Sequence, residues 1–254
     1  MTTSAKIALV TGGSRGLGHN TALALARKGI DVILTYRKEK EQADAVVADL
    51  ESQGRKAAAM QLDAGDTASF DAFLARLSDV LKQTWNRDTF DYLINNAGFG
   101  INAPFASTTE EQFDSLMNVH FKGVYFLTQK CLPLLADNGG IVNLSTGLTR
   151  FSFEGSSAYA AMKGAIEVLT KYMAKELGPR GIRVNVVAPG AIATDFGGGR
   201  LKATPALQAH IGSVTALGRP GQPDDIGGVV AALCTDELGW VNAQRIEASG
   251  GMML

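Results

Sequence analysis

Histidine and cysteine are scarce in this chain of 254 residues, at three and two respectively. The two cysteines, Cys131 and Cys234, lie far apart in apolar stretches that read as helix, which favours reduced core thiols over a disulfide or a metal-ligand pair. So few imidazole and thiolate ligands argue against a metal-dependent mechanism. An excess of charge of either sign is also missing: 24 Lys and Arg stand against 25 Asp and Glu, a net charge of -1. That balance excludes neither solubility nor catalysis, but it points away from nucleic acid and anionic membranes as partners and towards small ligands. No apolar run is long enough to span a bilayer, and the opening MTTSAKIALVTGG passes from a short apolar stretch straight into glycines with no cleavable hydrophobic region. The expected location is therefore the cytoplasm. No stretch rich in proline, serine or like charge forms a linker, so residues 1–254 are expected to fold as a single domain.

What is present is alternation. KIALV, DVILTY, KAAAMQL, FDYLINN, GGIVNLS and IRVNVVA read as strands, with RIEAS as a seventh. Between them, 17–28, 40–53, 67–82, 110–135 and 157–177 are long enough for crossover helices, which should be right-handed. That order predicts an α/β fold, a doubly wound, mostly parallel sheet with helices on both faces. One stretch breaks the pattern: 191–217, with GGG at 197–199 and few periodic positions, is expected to be a substrate lid.

The first strand feeds TGGSRGLG at 11–18, and a helix follows. That context makes the glycines a dinucleotide-binding turn of the Rossmann type. Gly12 permits the tight turn, Gly16 lets the backbone approach a pyrophosphate, and Gly18 allows helix to pack on strand, with Ser14, Arg15 and Leu17 completing the loop. A fold that holds ribose hydroxyls carries an acidic residue about 20 positions further on. This chain has Tyr36 and Arg37 there. Arg37 and Arg15 can pair with a 2′-phosphate that a carboxylate would repel, so NADP(H) is the expected cofactor.

In AYAAMKGAIEVLTKYM, Tyr159 and Lys163 lie four residues apart. Ile166, Leu169, Tyr172 and Met173 recur at helical spacing, which puts the pair on one helix face. A phenol titrates near ~10, and a cation one turn away that stabilises its anion makes it a usable acid at neutral pH. The plain alternative is a surface tyrosine packed on a lysine stem.

The glycine turn after strand one, NNAG at 95–98, IVNLST at the fifth strand, the Tyr159/Lys163 pair, and Pro189–Gly190 with Thr194 close behind form an ordered set. It resembles that of the classical short-chain dehydrogenase/reductases, with 3-oxoacyl-carrier-protein reductases among members of similar length. The resemblance covers nearly the whole chain and implies a twisted seven-stranded sheet and a homotetramer joined through helices four and five. It casts Tyr159 as the acid that protonates a carbonyl oxygen. Lys163 would hold the nicotinamide ribose and lower the phenol's pKa. Asp63 would contact adenine, or else cap the helix beginning near Asp66. Asn96, Ala97 and Gly98 would line the cofactor site, as would Pro189 and Gly190, with Ile192 and Thr194 at the carboxamide end.

Two positions depart from the family pattern. Thr146 stands where the family's serine would be, thirteen residues before Tyr159, with Ser145 beside it; neighbours on a strand face opposite ways, and Thr146 is the favoured one. His120 stands in place of the family's asparagine, either keeping its backbone role with an imidazole that titrates near working pH, or simply packed and neutral. Phe99, Phe151, Phe153 and Phe196 follow strand ends or sit in the lid, which suits an apolar or ring-shaped ketone as well as lid packing. The expected activity is NADPH-dependent carbonyl reduction on a small-molecule ketone. The alternatives are a 3-oxoacyl-carrier-protein reductase and a non-catalytic dinucleotide sensor.

Overall fold

The computed structural model describes residues 5–254. Its first half runs β1 (Ile7–Val10), α1 (Gly16–Arg27), β2 (Asp31–Tyr36), α2 (Lys40–Ser52), β3 (Ala57–Gln61), α3 (Phe70–Val80), β4 (Phe90–Asn95), α4 (Glu110–Met117) and α5 (Gly123–Cys131). The second half continues with β5 (Leu135–Leu144), α6 (Ser157–Leu177), β6 (Arg183–Pro189), α7 (Arg200–Ala203), α8 (Pro205–Ser213), α9 (Pro223–Leu233) and β7 (Arg245–Ala248). The strands form one seven-stranded sheet in the order β3-β2-β1-β4-β5-β6-β7, every pairing parallel. Chain order reverses between β1 and β4, the place where open α/β sheets leave a crevice at the strands' carboxyl ends.

The strands read as near-continuous apolar runs because both faces are covered. Ala8, Val10, Leu34 and Ile94 pack with Val46, Leu50, Ile226 and Val230 of α2 and α9. The alternate residues Ile7, Leu9, Ile33 and Leu93 pack with Phe70, Phe73 and Leu77 of α3 and Leu127 of α5. Each such fully buried side chain contributes about 1.5–3 kcal/mol. Cys131 and Cys234 sit in these two separate layers, and burial pushes both thiols up to about 12, so they remain core thiols.

A buried polar chain crosses the second layer. Asn95 Nδ2 donates to Thr128 Oγ1 (3.0 Å) and to Asn143 Oδ1 (2.8 Å), and Asn143 Nδ2 donates to Thr170 Oγ1 (2.9 Å). Satisfied in this way, it ties β4 and β5 to α6 and fixes the height of that helix on the sheet. The span of α6 is the one the periodicity predicts. One position differs: Tyr172 is 64% exposed, because at 100° per residue it falls off the face shared by Ile166, Leu169 and Met173.

The segment 110–135, read from sequence as one helix, is interrupted. A π-helical turn at Asn118–Lys122 separates α4 from α5 and carries His120, an irregularity that often marks functional sites. The segment 191–217, expected from sequence to be a lid, is likewise more ordered than its sequence suggests. It holds α7, α8 and a 3-10 turn at Phe196–Gly199, elements of four to nine residues that are too short to show a period. The outer faces of α4, α5 and α6, through which the resemblance expects subunits to meet, leave Phe113, Tyr125, Phe126, Val168 and Tyr172 exposed. Among the described residues no helix is long and apolar enough to cross a membrane.

Candidate active site

The strand ends surround a cavity of about 610 Å³ at the switch point. One end is a cradle made of backbone. α1 begins at Gly16 with no side-chain cap and no acidic residue in its first turn, so its leading N–H groups point at whatever anion the cavity receives. Gly18 has no room for a side chain, since a Cβ there would collide with the carbonyl oxygen of Gly12. Gly12 and Gly16 have φ of 65° and 56°, in the left-handed region that favours glycine. Asn96 secures the turn from below: its Nδ2 donates to the carbonyls of Thr11 (2.8 Å) and Gly12 (3.1 Å). Thr11 Oγ1 in turn accepts from the N–H groups of Asn96 and Ala97 (both 3.0 Å). Thr11 and Thr35, whose Oγ1 accepts from Gly12 N at 3.1 Å, are site-building residues that sequence reading missed. Their only signal was a hydroxyl at the end of an apolar strand.

Ser14, Arg15, Leu17, Tyr36, Arg37 and Asp63 also line this end, with Lys38 and Glu39 beside them. Three cations therefore face two carboxylates. Of the two roles read for Asp63, capping falls to Asp66, which accepts from Ala68 N at 3.2 Å; Asp63 instead accepts from Gly65 N at 2.9 Å and lies on the cavity wall.

At the other end the catalytic candidates converge. Tyr159 and Lys163 both line the cavity from α6. Lys163 Nζ is buried, donates to Leu144 O at the end of β5 (2.7 Å), and lies 5.8 Å from the centre of the Tyr159 ring. Burial lowers its pKa to about 8. Burial also raises the Tyr159 phenol above its ordinary value. This corrects the expectation that the lysine lowers the phenol: at this separation desolvation dominates, and Tyr159 is a proton donor that stays protonated through the neutral range.

The adjacent hydroxyls are already differentiated. Ser145 Oγ donates to Glu167 Oε1 at 2.6 Å, and the same oxygen accepts from Thr149 Oγ1 (2.7 Å) and Arg245 Nε (2.8 Å). Thr146 Oγ1 accepts from Leu148 N (3.3 Å) and keeps its proton for the cavity that it lines. Glu167 and Arg245, 78 residues apart, were not foreseen from sequence.

His120 is fully buried, edge-on to Tyr159 with ring centres 5.1 Å apart and planes at 89°. Its Nε2 donates to Phe99 O at 2.7 Å, which leaves Nδ1 as a bare acceptor with no partner among the described residues. Desolvation, then the Lys163 charge, lower its pKa to about 3. Burial and the Lys163 charge favour the packed, neutral reading of His120 over titration near working pH. A stability effect follows. Between pH ~6.5 and ~3 the unfolded chain binds a proton that the folded chain refuses, so stability falls on acidification by about 1.4 kcal/mol per unit. His120→Asn should remove that slope. In urea unfolding at pH 7 and pH 5, the wild type is expected to lose about 2 kcal/mol more than the variant, and equal losses would contradict the assignment.

On the far wall, Gly190 leaves no space for a side chain, a Cβ there meeting Ser249 Cα at 2.9 Å. Ile192 and Thr194 follow Pro189 along the same cavity. Thr194 Cβ stands 4.0 Å from where a Gly16 Cβ would be, so the chain after β6 comes into contact distance of the glycine turn. Every residue read from sequence as a site candidate thus borders this one cavity. Among the described residues no group of His, Cys, Asp or Glu is arranged to hold a metal ion.

A family model described as Enoyl-(Acyl carrier protein) reductase matches residues 12–253. The chain belongs to the short-chain dehydrogenase/reductase family. Within it, the 3-oxoacyl-[acyl-carrier-protein] reductase of Staphylococcus aureus is 35% identical over 251 residues, covering 98% of each chain. Among solved structures, the promiscuous reductase LugOII, which catalyses keto-reduction at C1 during lugdunomycin biosynthesis, superposes with a TM-score of 0.92 at 37% identity over 98% of both chains. The angucycline C-6 ketoreductase LanV, solved with bound NADP, gives a TM-score of 0.92 at 32% identity, covering 98% of this chain and 95% of its own. As a short-chain dehydrogenase/reductase the chain is an oxidoreductase.

Proposed function

We propose that this oxidoreductase is an NADPH-dependent ketone reductase. The observation that carries the reading is the single cavity that joins an uncapped, cation-flanked helix N-terminus to Tyr159, Lys163 and a free threonine hydroxyl. The cradle fits a dinucleotide: α1 would hold the pyrophosphate, and Arg15 and Arg37 a 2′-phosphate. Lys163 would hold the nicotinamide ribose, and Ile192 and Thr194 the carboxamide end. LanV binds NADP, which supports the same cofactor here. When bound, the nicotinamide supplies the hydride. Thr146 Oγ1–H donates to the ketone oxygen and orients it. Tyr159 would give its proton to that oxygen as negative charge develops there, so that hydride on carbon and proton on oxygen together turn the carbonyl into a carbinol. The Lys163 ammonium, 5.8 Å from the ring centre, would offset part of the cost that burial places on the phenolate that remains.

The likeness to the Staphylococcus aureus enzyme favours a second reading, a 3-oxoacyl-carrier-protein reductase. Stopped-flow oxidation of NADPH and NADH against ketones, diketones, sugars and an acetoacetyl thioester separates the two. NADPH is expected to give a kcat/KM at least about tenfold above NADH, the effect of one or two charge-assisted contacts. Turnover with ketones and none with the thioester is the expected pattern. An NADH preference would overturn the cofactor assignment, and no turnover with any carbonyl would overturn the activity.

A further inference from the structure

We infer that the substrate is a planar, uncharged ketone with at least two fused aromatic rings, held in an aromatic clamp whose moving jaw is Phe196. The inference rests on the ketone-reductase reading and extends it to the substrate half of the cavity. Three strand ends each deliver phenylalanine to that half: Phe99 after β4, Phe151 and Phe153 after β5, Phe196 after β6. These rings have been given space. A Cβ on Gly100 would stand 2.8 Å from Phe196 Cε1, and one on Gly147, next to Thr146, 2.8 Å from Phe151 Cζ.

The fixed wall is Phe151 with Phe153, ring centres 5.5 Å apart at 60°. Arg150 lies over Phe151, its guanidinium 5.3 Å from the ring centre. That guanidinium is itself tied to Glu247 (2.7 and 2.8 Å) and to the carbonyls of Met252 and Met253. Phe151 is therefore anchored through the C-terminal segment, which also brings Met252 to the cavity.

The other wall behaves differently. Phe196 rests on the Tyr159 ring, centres 5.8 Å apart at 56°, yet is half exposed. Directly behind it Gly197, Gly198 and Gly199 all have positive φ, at 61°, 78° and 73°. No atom lies within 4 Å of a Cβ built on Gly197 or Gly198. These two glycines are thus demanded by backbone conformation and not by packing, which makes them a swivel.

The chemistry of the half-cavity favours uncharged ligands. Two of the charged pairs beside it are already matched, Arg150 with Glu247 and Asp195 with Lys202 (3.2 Å), and Arg200 is exposed to solvent. The remaining neighbours Leu148, Ile192, Leu201 and Met252 are apolar. A carboxylate or phosphate would be desolvated there without a partner. Flat π-faces instead meet rings in offset or edge geometry, where aromatic pairs gain beyond the area they bury.

A matched pair of ketones tests this: 2-acetonaphthone and its saturated counterpart 2-acetyldecalin, which share one skeleton and one acetyl group. The readout is the ratio of their kcat/KM values with NADPH, compared between wild type, Phe196→Leu, Phe151→Leu and Phe196→Tyr. Taking the ratio cancels any common loss of catalytic power or folded fraction. The ratio is expected to fall by roughly threefold to tenfold in either leucine variant and to return in Phe196→Tyr, which restores a ring. A ratio unchanged within twofold in both leucine variants would overturn the clamp while leaving the reductase reading intact. If the wild type reduces neither ketone, the reductase reading fails, and calorimetric titration of the two ketones into the NADPH-saturated protein decides the clamp alone. Tighter binding of 2-acetonaphthone, weakened in Phe196→Leu, supports it; equal or absent binding overturns it.

Discussion

Tyr159→Phe is expected to lower kcat for ketone reduction by about 10²–10⁴-fold, the range spanned by positioned acid catalysts. The substitution deletes one oxygen and leaves the ring, so the edge contact with His120 and the contact with Phe196 survive. NADPH affinity and melting temperature should therefore stay close to wild type. The physical reason for so large an effect is that no second group can deliver the proton. His120 is neutral, with its only N–H committed to Phe99. Lys163 donates to Leu144 and would hold the nicotinamide ribose, with its Nζ 5.8 Å from the centre of the phenol ring. Steady-state kinetics with NADPH and a reduced ketone measure the loss. Turnover near that of the wild type would remove Tyr159 from the mechanism.

The second large effect separates neighbouring hydroxyls. Thr146→Ala is expected to lower kcat/KM by about 10²–10³-fold, as the loss of one donor to a developing oxyanion does. Ser145→Ala should act on the fold instead. Its hydroxyl serves Glu167, whose partly buried carboxylate is also bound by Thr149 and Arg245, and losing one hydrogen bond to a charged group costs about 1.5–3 kcal/mol. Kinetics and urea unfolding of the two variants side by side give the answer. The reverse order, with Ser145→Ala the greater kinetic loss, would transfer the carbonyl contact to Ser145.

How far the sequence reveals this site depends on whether a residue acts through its neighbours in the chain or through distant ones. The strands and α6 are legible because a period of two or of 3.6 is a local property. The preference for Thr146 over Ser145 rests on its place thirteen residues before Tyr159, with alternation saying only that the two neighbours face opposite ways. The π-helical turn at His120 is not legible, since one extra residue in a helix leaves no mark on its composition. Nor is the state of His120, because its pKa reflects burial by the whole fold and the charge of Lys163. Glu167 and Arg245 escape for the same reason, meeting only after β7 has joined β6. Within 191–217, α7 and α8 are too short to repeat a pattern. Tyr172 was misread because it sits near apolar neighbours in sequence but at the edge of the buried face of the helix, turned to solvent.

Gly18 and the phenylalanines sit at the two ends of one cavity and answer to different constraints. Any side chain at Gly18 must displace the backbone of Gly12, and with it the attachment of α1 to the sheet. The phenylalanines hang from segments that leave the sheet after β4, β5 and β6 and support little of the core. Descendants of this chain can therefore exchange what they reduce while inheriting the cofactor cradle unaltered. A library randomised at Phe99, Phe151, Phe153 and Phe196 would sample new substrates from a population that remains largely folded.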